Sequence, residues 1–271
     1  WQPFDLRTDR VTRTFLSKLM ITDLEGKDWK EPLTLPRATS RAEELMQARV
    51  SPTVLDSLPN DPHHILVVNN IGSNAGDVYR VDLRNYASER VQISGENVAG
   101  YVTDLDGELR ARLRTSVDSV GAYIAAEFRN SQSNAWEEHF RSYVKNRDQT
   151  QIVGFSNDPN VAFIESNEGR DKSVIYEYDI AAKQRKEILF EHRFFNANRV
   201  LVNPYRSAGE AFGAVLGLGY EGPRGDDVEW TLPQMRALDA GLRQALGIVS
   251  KPLALVDPAS NERATIEYPV D

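Results

Sequence analysis

A short strand that ends in aspartate recurs along this chain. Val174-Ile-Tyr-Glu-Tyr-Asp179 is its clearest copy, followed by a polar turn through Lys183 and a second strand ending at Ile188-Leu189. Valine, isoleucine and tyrosine at period two favour a pleated strand. Ile175, Glu177 and Asp179 fall on one face, and Val174, Tyr176 and Tyr178 on the other. The aspartate can accept backbone N–H groups two residues on and so hold the turn. Further copies end at Asp23 (Met20-Ile-Thr-Asp23), Asp82 (Val78-Tyr-Arg-Val-Asp82), Asp104 (Tyr101-Val-Thr-Asp104) and Asp257 (Leu253-Ala-Leu-Val-Asp257). Five copies point to a repeated β-unit.

The rest of the chain has the same texture. Strands are expected at 12–22, 54–58, 65–69, 77–83, 90–93, 98–103, 109–114, 123–129, 136–144, 152–155, 161–165, 199–202 and 214–219, with a last hairpin at 252–256 and 263–268. Pro59-Asn-Asp-Pro62, Asp104-Leu-Asp-Gly107 and Ser156-Asn-Asp-Pro-Asn160 are turns with a chemical reason to turn. Ser40-Arg-Ala-Glu43 has a capping-box pattern and opens either a short helix or an irregular loop. The one firm helix is Thr231–Leu246, where Leu232, Met235, Leu238, Leu242 and Leu246 share a face, Thr231 caps the start and Gly247 follows the end.

Sixteen to twenty short strands must bury both faces of their sheets and hide the edges. Radial repetition of four-stranded blades does this at about 40–50 residues per blade. The expected fold is therefore an all-β β-propeller spanning 1–271, of about six blades, complete or incomplete. The uneven aspartate spacing makes the repeat degenerate. A pair of β-sandwiches is the alternative, but it leaves the recurring aspartate turn unexplained.

Composition narrows the partners. The formal net charge of -8 and pI near 5.2 argue against a nucleic-acid surface, which needs a basic footprint, though local basic patches remain open. The absence of cysteine removes disulfides and thiolate metal sites. No run of eighteen apolar residues is present, so no membrane-spanning helix is expected. The chain begins at Trp1 rather than Met, so a piece of a longer protein is expected.

Several phrases resemble the non-catalytic propeller of bacterial prolyl-oligopeptidase-family serine peptidases. They are Leu58-Pro-Asn-Asp-Pro62-His-His-Ile-Leu-Val67 with Asp77–Asp82, Tyr101–Arg110, and Ile152–Pro159 before Val174–Asp179. The acidic segment and helix in 220–247 are similar to an insertion near the end of such propellers. The resemblance covers about residues 55–260. It implies an α/β-hydrolase catalytic domain in the same parent chain, short peptides as substrates, and a propeller that gates access to the active site. The hydrolase's G-x-S-x-G elbow is not in this sequence, and Gly72-Ser73-Asn-Ala-Gly76 has the wrong spacing. No catalytic, cofactor-binding or metal residue is therefore assigned, and no cofactor is expected. If blades are missing, exposed sheet edges favour self-association.

Other chemistries read more weakly. His63-His64 lacks the converging ligands a metal needs, and His139 and His192 stand alone. Asp104 and Asp106 lack the twelve-residue calcium-loop pattern. A propeller glycosidase needs two facing carboxylates, for which Glu177, Asp226, Asp227 and Glu229 are available, although the acidic run reads as a solvated loop. Trp29, Trp136 and Trp230 read as blade packing rather than ligand stacking. Lys183, Arg185 and Lys186 read as a solvated strand or turn. A stand-alone binding platform is the alternative function.

Overall fold

The computed structural model describes residues 50–71, 74–223 and 225–247 continuously, and the shorter pieces 2–4, 14–16, 19–23, 25–33, 39–42, 47, 254–260 and 263–267. Glu43 of the Ser40–Glu43 capping box and most of the helix or loop it opens, like Gly72 and Ser73, lie outside these residues.

The strands form meanders in which neighbours in sequence are neighbours in the sheet. The first full sheet contains β3 (Val50–Asp56), β4 (His64–Ile71), β5 (Val78–Asp82) and β6 (Ser88–Gln92). The second contains β7 (Val98–Thr103), β8 (Leu109–Val117), β9 (Ala122–Arg129) and β10 (Trp136–Tyr143). The third contains β11 (Thr150–Phe155), β12 (Val161–Ser166), β13 (Val174–Asp179) and β14 (Gln184–Phe190). The fourth has three strands, β15 (Ala197–Val202), β16 (Val215–Gly222) and β17 (Gly225–Trp230). Two-stranded pairs, β1 (Gln2–Phe4) with β2 (Thr14–Leu16) and β18 (Ala254–Ser260) with β19 (Arg263–Glu267), lie towards the two ends of the sequence. The architecture is an all-β propeller with four blades and one helix, α1 (Pro233–Leu246), among the described residues. The expected six blades are not all present there.

Contacts divide the chain into two compact units, residues 1–101 with 112–115, and residues 102–111 with 116–271. In the first unit Leu33, Val67 and Val81 form a buried cluster, with Leu19, Ile65 and Tyr79 against it. The Asp23 turn forms as expected: its Oδ1 accepts the N–H groups of Glu25 (3.2 Å) and Lys27 (2.6 Å).

In the second unit β13 lies at the middle of the packing. Its two faces bury against different neighbours. Ile175 joins Phe163, Phe190, Ala197 and Leu218, which ties the third blade to the fourth. Tyr178, on the opposite face, stacks on Phe128 of the second blade at 5.7 Å between ring centroids and touches Phe140 at 4.7 Å. Both faces are apolar because each blade of such a fold is covered on both sides.

The recurring aspartate occupies two kinds of turn. Between third and fourth strands it is Asp82 in the first blade and Asp179 in the third, accepting N–H groups from Arg84 (2.8 Å) and Ala182 (2.9 Å). The second blade has Asn130 at this position, accepting from Gln132 and Ser133. Four residues after each, the chain turns left-handed, at Tyr86 (φ 61°), Asn134 (φ 59°) and Lys183 (φ 53°). Between first and second strands the set is Asp61, Asp104 and Asp158, each accepting the N–H two residues on. Asp104 thus belongs to a different turn from Asp82 and Asp179, and Asn130 is the copy that the aspartate pattern passed over.

Two expectations need correction, the acidic run and the start of the helix. The acidic run at 226–229 is the strand β17, not a loop. Among the described residues it is a terminal strand paired only with β16, and charged side chains are what an edge strand tolerates. Helix α1 starts at Pro233, with Leu232 as an extended N-cap residue that makes no side-chain cap. Thr231 does not cap it, since its Oγ1 donates instead to the Val215 carbonyl (2.5 Å). The apolar face of the helix is not in the core: no α1 residue is buried, and Leu238 and Leu246 are 45% and 39% exposed. Gly247 does end the helix in the left-handed region (φ 68°), as glycine there permits.

Candidate functional site

A cleft of about 380 Å³ opens between the second and third blades, at the end where their tight turns gather. Its walls come from five pieces of chain. Arg110 extends from β8, Phe128 and Arg129 end β9, and Asn130 begins the turn to β10. Glu137 and His139 come from β10, Pro159 and Asn160 from the turn before β12, and Ile180, Ala181 and Lys183 from the turn after β13.

A β-bulge sets the floor. Glu138 pairs with Glu127 and Phe140 with Ala126, which leaves His139 as the extra residue on β10. Bulges re-aim side chains. Here His139 and Phe140 both meet Tyr178, although adjacent strand residues ordinarily face opposite ways. His139 Nδ1 lies 2.9 Å from the Tyr178 hydroxyl, and its ring packs on Phe128 at 4.8 Å. Burial, and then the charge of Lys183, push the imidazole down to about 4, against the opposing pull of Glu137. It is neutral at neutral pH. Burial likewise pushes the Tyr178 phenol up to about 12.

The rim is held by polar bonds that cross between turns. Asn130 Nδ2 donates to Glu137 Oε1 (2.6 Å), and Lys183 Nζ sits 3.2 Å from Glu137 Oε2. The hydrogen bond from Asn130, then the bond and charge of Lys183, hold the Glu137 carboxyl below its usual range. Arg110 donates to Asp104 Oδ2 (3.2 Å) and, across to the third blade, to the Pro159 carbonyl (2.7 Å). Asn160 donates to Asp179 Oδ1 (2.8 Å), and its side-chain and backbone oxygens each accept an N–H, from Ala181 and Ile180. The cleft therefore has fixed polar walls over an apolar floor, an arrangement suited to binding a small group.

The residues singled out by sequence lie mostly elsewhere. His64 is occupied: its Nδ1 contacts both Asp61 oxygens, at 2.9 and 3.0 Å. Among the described residues no three His, Asp or Glu side chains group as metal ligands. Asp104 holds its turn and Arg110, and Asp106 receives Arg206. Asp226 accepts from Asn198 and Asp227 from Arg243, both in the fourth-blade region, while Glu177 lies on β13 of the third. The tryptophans divide. Trp230 is buried, Trp136 is half-buried under Arg129, and Trp29 is 61% exposed, against the packing expectation for that residue. Lys183 lies in a turn as expected, yet it also bridges to the neighbouring blade. His192 stacks against both Tyr220 (4.2 Å) and Phe195 (5.0 Å), whose rings are themselves 5.9 Å apart. Sequence reading missed the cleft itself. The traceable signal was the unpaired histidine in Glu137-Glu-His139-Phe, set inside an otherwise strand-like run.

No helix among the described residues is long and apolar enough to cross a membrane.

No family model matches the chain. A dipeptidyl aminopeptidase BIII from Pseudoxanthomonas mexicana is 25% identical over 176 residues, which are 65% of this chain and 23% of that protein. Among solved structures, TolB from Acinetobacter baumannii aligns over 77% of this chain and 44% of its own, at 15% identity and a TM-score of 0.47. The β-propeller domain of the Trilobed protease from Pyrococcus furiosus aligns over 67% and 57%, at 10% identity and a TM-score of 0.36. The chain spans less than a quarter of the length of its peptidase relative. It is a propeller with distant similarity to a peptidase.

Proposed function

We propose that this chain is the propeller part of a serine peptidase of the prolyl-oligopeptidase type, and that it gates the access of short peptides to a catalytic domain elsewhere in the parent protein. The observation that carries this reading is the 176-residue similarity to a dipeptidyl aminopeptidase about four times as long as the matched part. The phrases around Asp61, Asp104 and Asp158 that carry the family resemblance form the turns between first and second strands. The physical logic of gating is that a narrow passage admits an extended peptide and excludes a folded domain. In this proposal residues 1–271 belong to one propeller of about six blades, and the pairs β1–β2 and β18–β19 are parts of blades beyond the four. Edges left open would make the isolated chain self-associate, so it should sediment as larger species when concentrated tenfold.

The test is hydrolysis of short aminoacyl or prolyl peptides by this chain and by the full-length parent. Activity in the parent alone is expected. Hydrolysis by neither would favour the second reading, a stand-alone binding platform, for which the cleft between the second and third blades is the supporting observation.

A further inference from the structure

We infer that the cleft between the second and third blades is a binding site for a monocarboxylate that carries an apolar group, and that Arg129 holds the carboxylate. The inference rests on the charge pattern of the cleft and is independent of the peptidase reading.

Three cations line the cleft, and two already have carboxylate partners. Arg110 is bonded to Asp104, and Lys183 is paired with Glu137. Arg129 is different. Its side chain has no hydrogen bond or ion pair among the described residues, and its Nε is buried without a partner. It ends β9 opposite Trp136, and its guanidinium lies over that indole, 5.6 Å from the ring centroid. Stacking on an aromatic ring fixes the plane of the guanidinium without using its N–H donors. A buried donor left unsatisfied is costly. A ligand that brings an acceptor to the cleft side of this guanidinium supplies a partner it otherwise lacks.

The chemistry selects among anions. A guanidinium fork matches a carboxylate in two parallel hydrogen bonds. One uncompensated cation balances one negative charge. Glu137 lines the same cleft, so a phosphate dianion would meet a carboxylate with only one free arginine to offset it. Beyond the fork, Phe128, Pro159, Ile180 and Ala181 supply apolar wall. The volume, about 380 Å³, is at the small end for ligand sites. It suits the end of a chain or a small acid.

Carboxylates of this kind come from a peptide C-terminus or from a free organic acid, and the probes separate the two. The chain is titrated with N-acetyl-Ala-Leu as the free acid, with the same dipeptide as its C-terminal amide, with benzoate, and with inorganic phosphate. The readout is the NMR shift of the Arg129 Nε–H and of the Gln132, Ile180 and Ala181 amides. The dipeptide acid is expected to bind at least about tenfold more tightly than the amide, since the amide lacks the charge-assisted pair. Dipeptide acid binding above benzoate assigns a peptide C-terminus, and the reverse assigns a free acid. Arg129→Gln should abolish the difference between acid and amide. Arg129→Lys, which keeps the charge but loses the fork, should retain part of it. Both variants are to melt as the wild type does. If either variant fails to fold, the acid-to-amide ratio and the amide shift map on wild-type protein decide. Equal binding of acid and amide, tighter binding of phosphate, or shifts that map away from the cleft would overturn the inference.

Discussion

Two turns built on the same three residues end differently. Asn60-Asp61-Pro62 leads into β4 of the first blade, and Asn157-Asp158-Pro159 leads into β12 of the third. In both, the aspartate accepts the N–H two residues on. The first turn then locks onto its own sheet. Asp61 is held by His64, on the next strand, and by Arg80, on β5. The third-blade turn has Val161 where the first has His64. It has Glu177 where the first has Arg80: His64 and Val161 pair with Asp82 and Asp179, and Leu66 and Phe163 pair with Arg80 and Glu177. With no cation at either of these two positions, this turn takes one from next door, as the Pro159 carbonyl accepts Arg110. The shared residues fix the backbone of the turn. The unshared ones decide whether it is a lock or the wall of a cleft.

The largest break in this comparison is Tyr178→Ala. The ring is 2% exposed and joins the third blade to Phe128, His139 and Phe140 of the second. Removing a buried aromatic side chain costs about 3–5 kcal/mol. Urea unfolding should show a loss of that order, and amide spectra should change around the cleft and not around Asp61.

Acid separates the two regions. His139 is depressed from an ordinary 6.5 to about 4, so the unfolded chain takes up its proton first. Its contribution to stability is present above pH 6.5 and is lost as pH falls from 6.5 towards 4. For Asp61, burial pushes the carboxyl up, but hydrogen bonds from His64, the His63 N–H and Arg80 outweigh it and hold the group at about 2. Its contribution is present above about pH 4 and is lost only between there and 2. Thermal melts across pH should therefore lose the first increment in His139→Phe, which has no proton to take up, and the second in Asp61→Asn. An NMR midpoint for His139 near 6.5 would break the first half of this expectation.

Arg80→Glu tests the lock more gently. It gives the first blade the charge found at 177 and removes one partner of Asp61, so the melting temperature should fall, and fall further at low salt where like charges are less screened. The smallest effect belongs to Lys183→Ala. Its side chain is 53% exposed and its partner Glu137 37% exposed. Exposed pairs contribute little. The melting temperature should barely move, while the His139 midpoint should rise as the neighbouring positive charge disappears.

The turns were legible because their chemistry is local. An aspartate that bonds the N–H two residues on needs only its own segment, and Asp23, Asp82 and Asp104 all do this. Asn130 makes the same bonds with an amide oxygen, which a search for aspartate passes over. β17 was illegible because its acidic residues lack an apolar alternation, and only pairing with β16 makes them a strand. The exposed apolar face of α1 shows the opposite case. Its helical period was plain, yet period alone does not say whether a face is covered.

Sequence by itself determined a chain of short antiparallel strands, hinged at aspartate turns, with one helix stopped by Gly247 before the last strand pair. It did so because strand period, turn bonds and glycine conformation act within a few residues. Only the tertiary structure decided the cleft. The bulge at His139 depends on the register between β9 and β10. The pairing of Glu137 with Lys183 and the isolation of Arg129 depend on which turn of one blade meets which turn of the next. Those are contacts between segments some twenty to fifty residues apart, and they are set by how the faces of β13 pack, a property that no single segment carries.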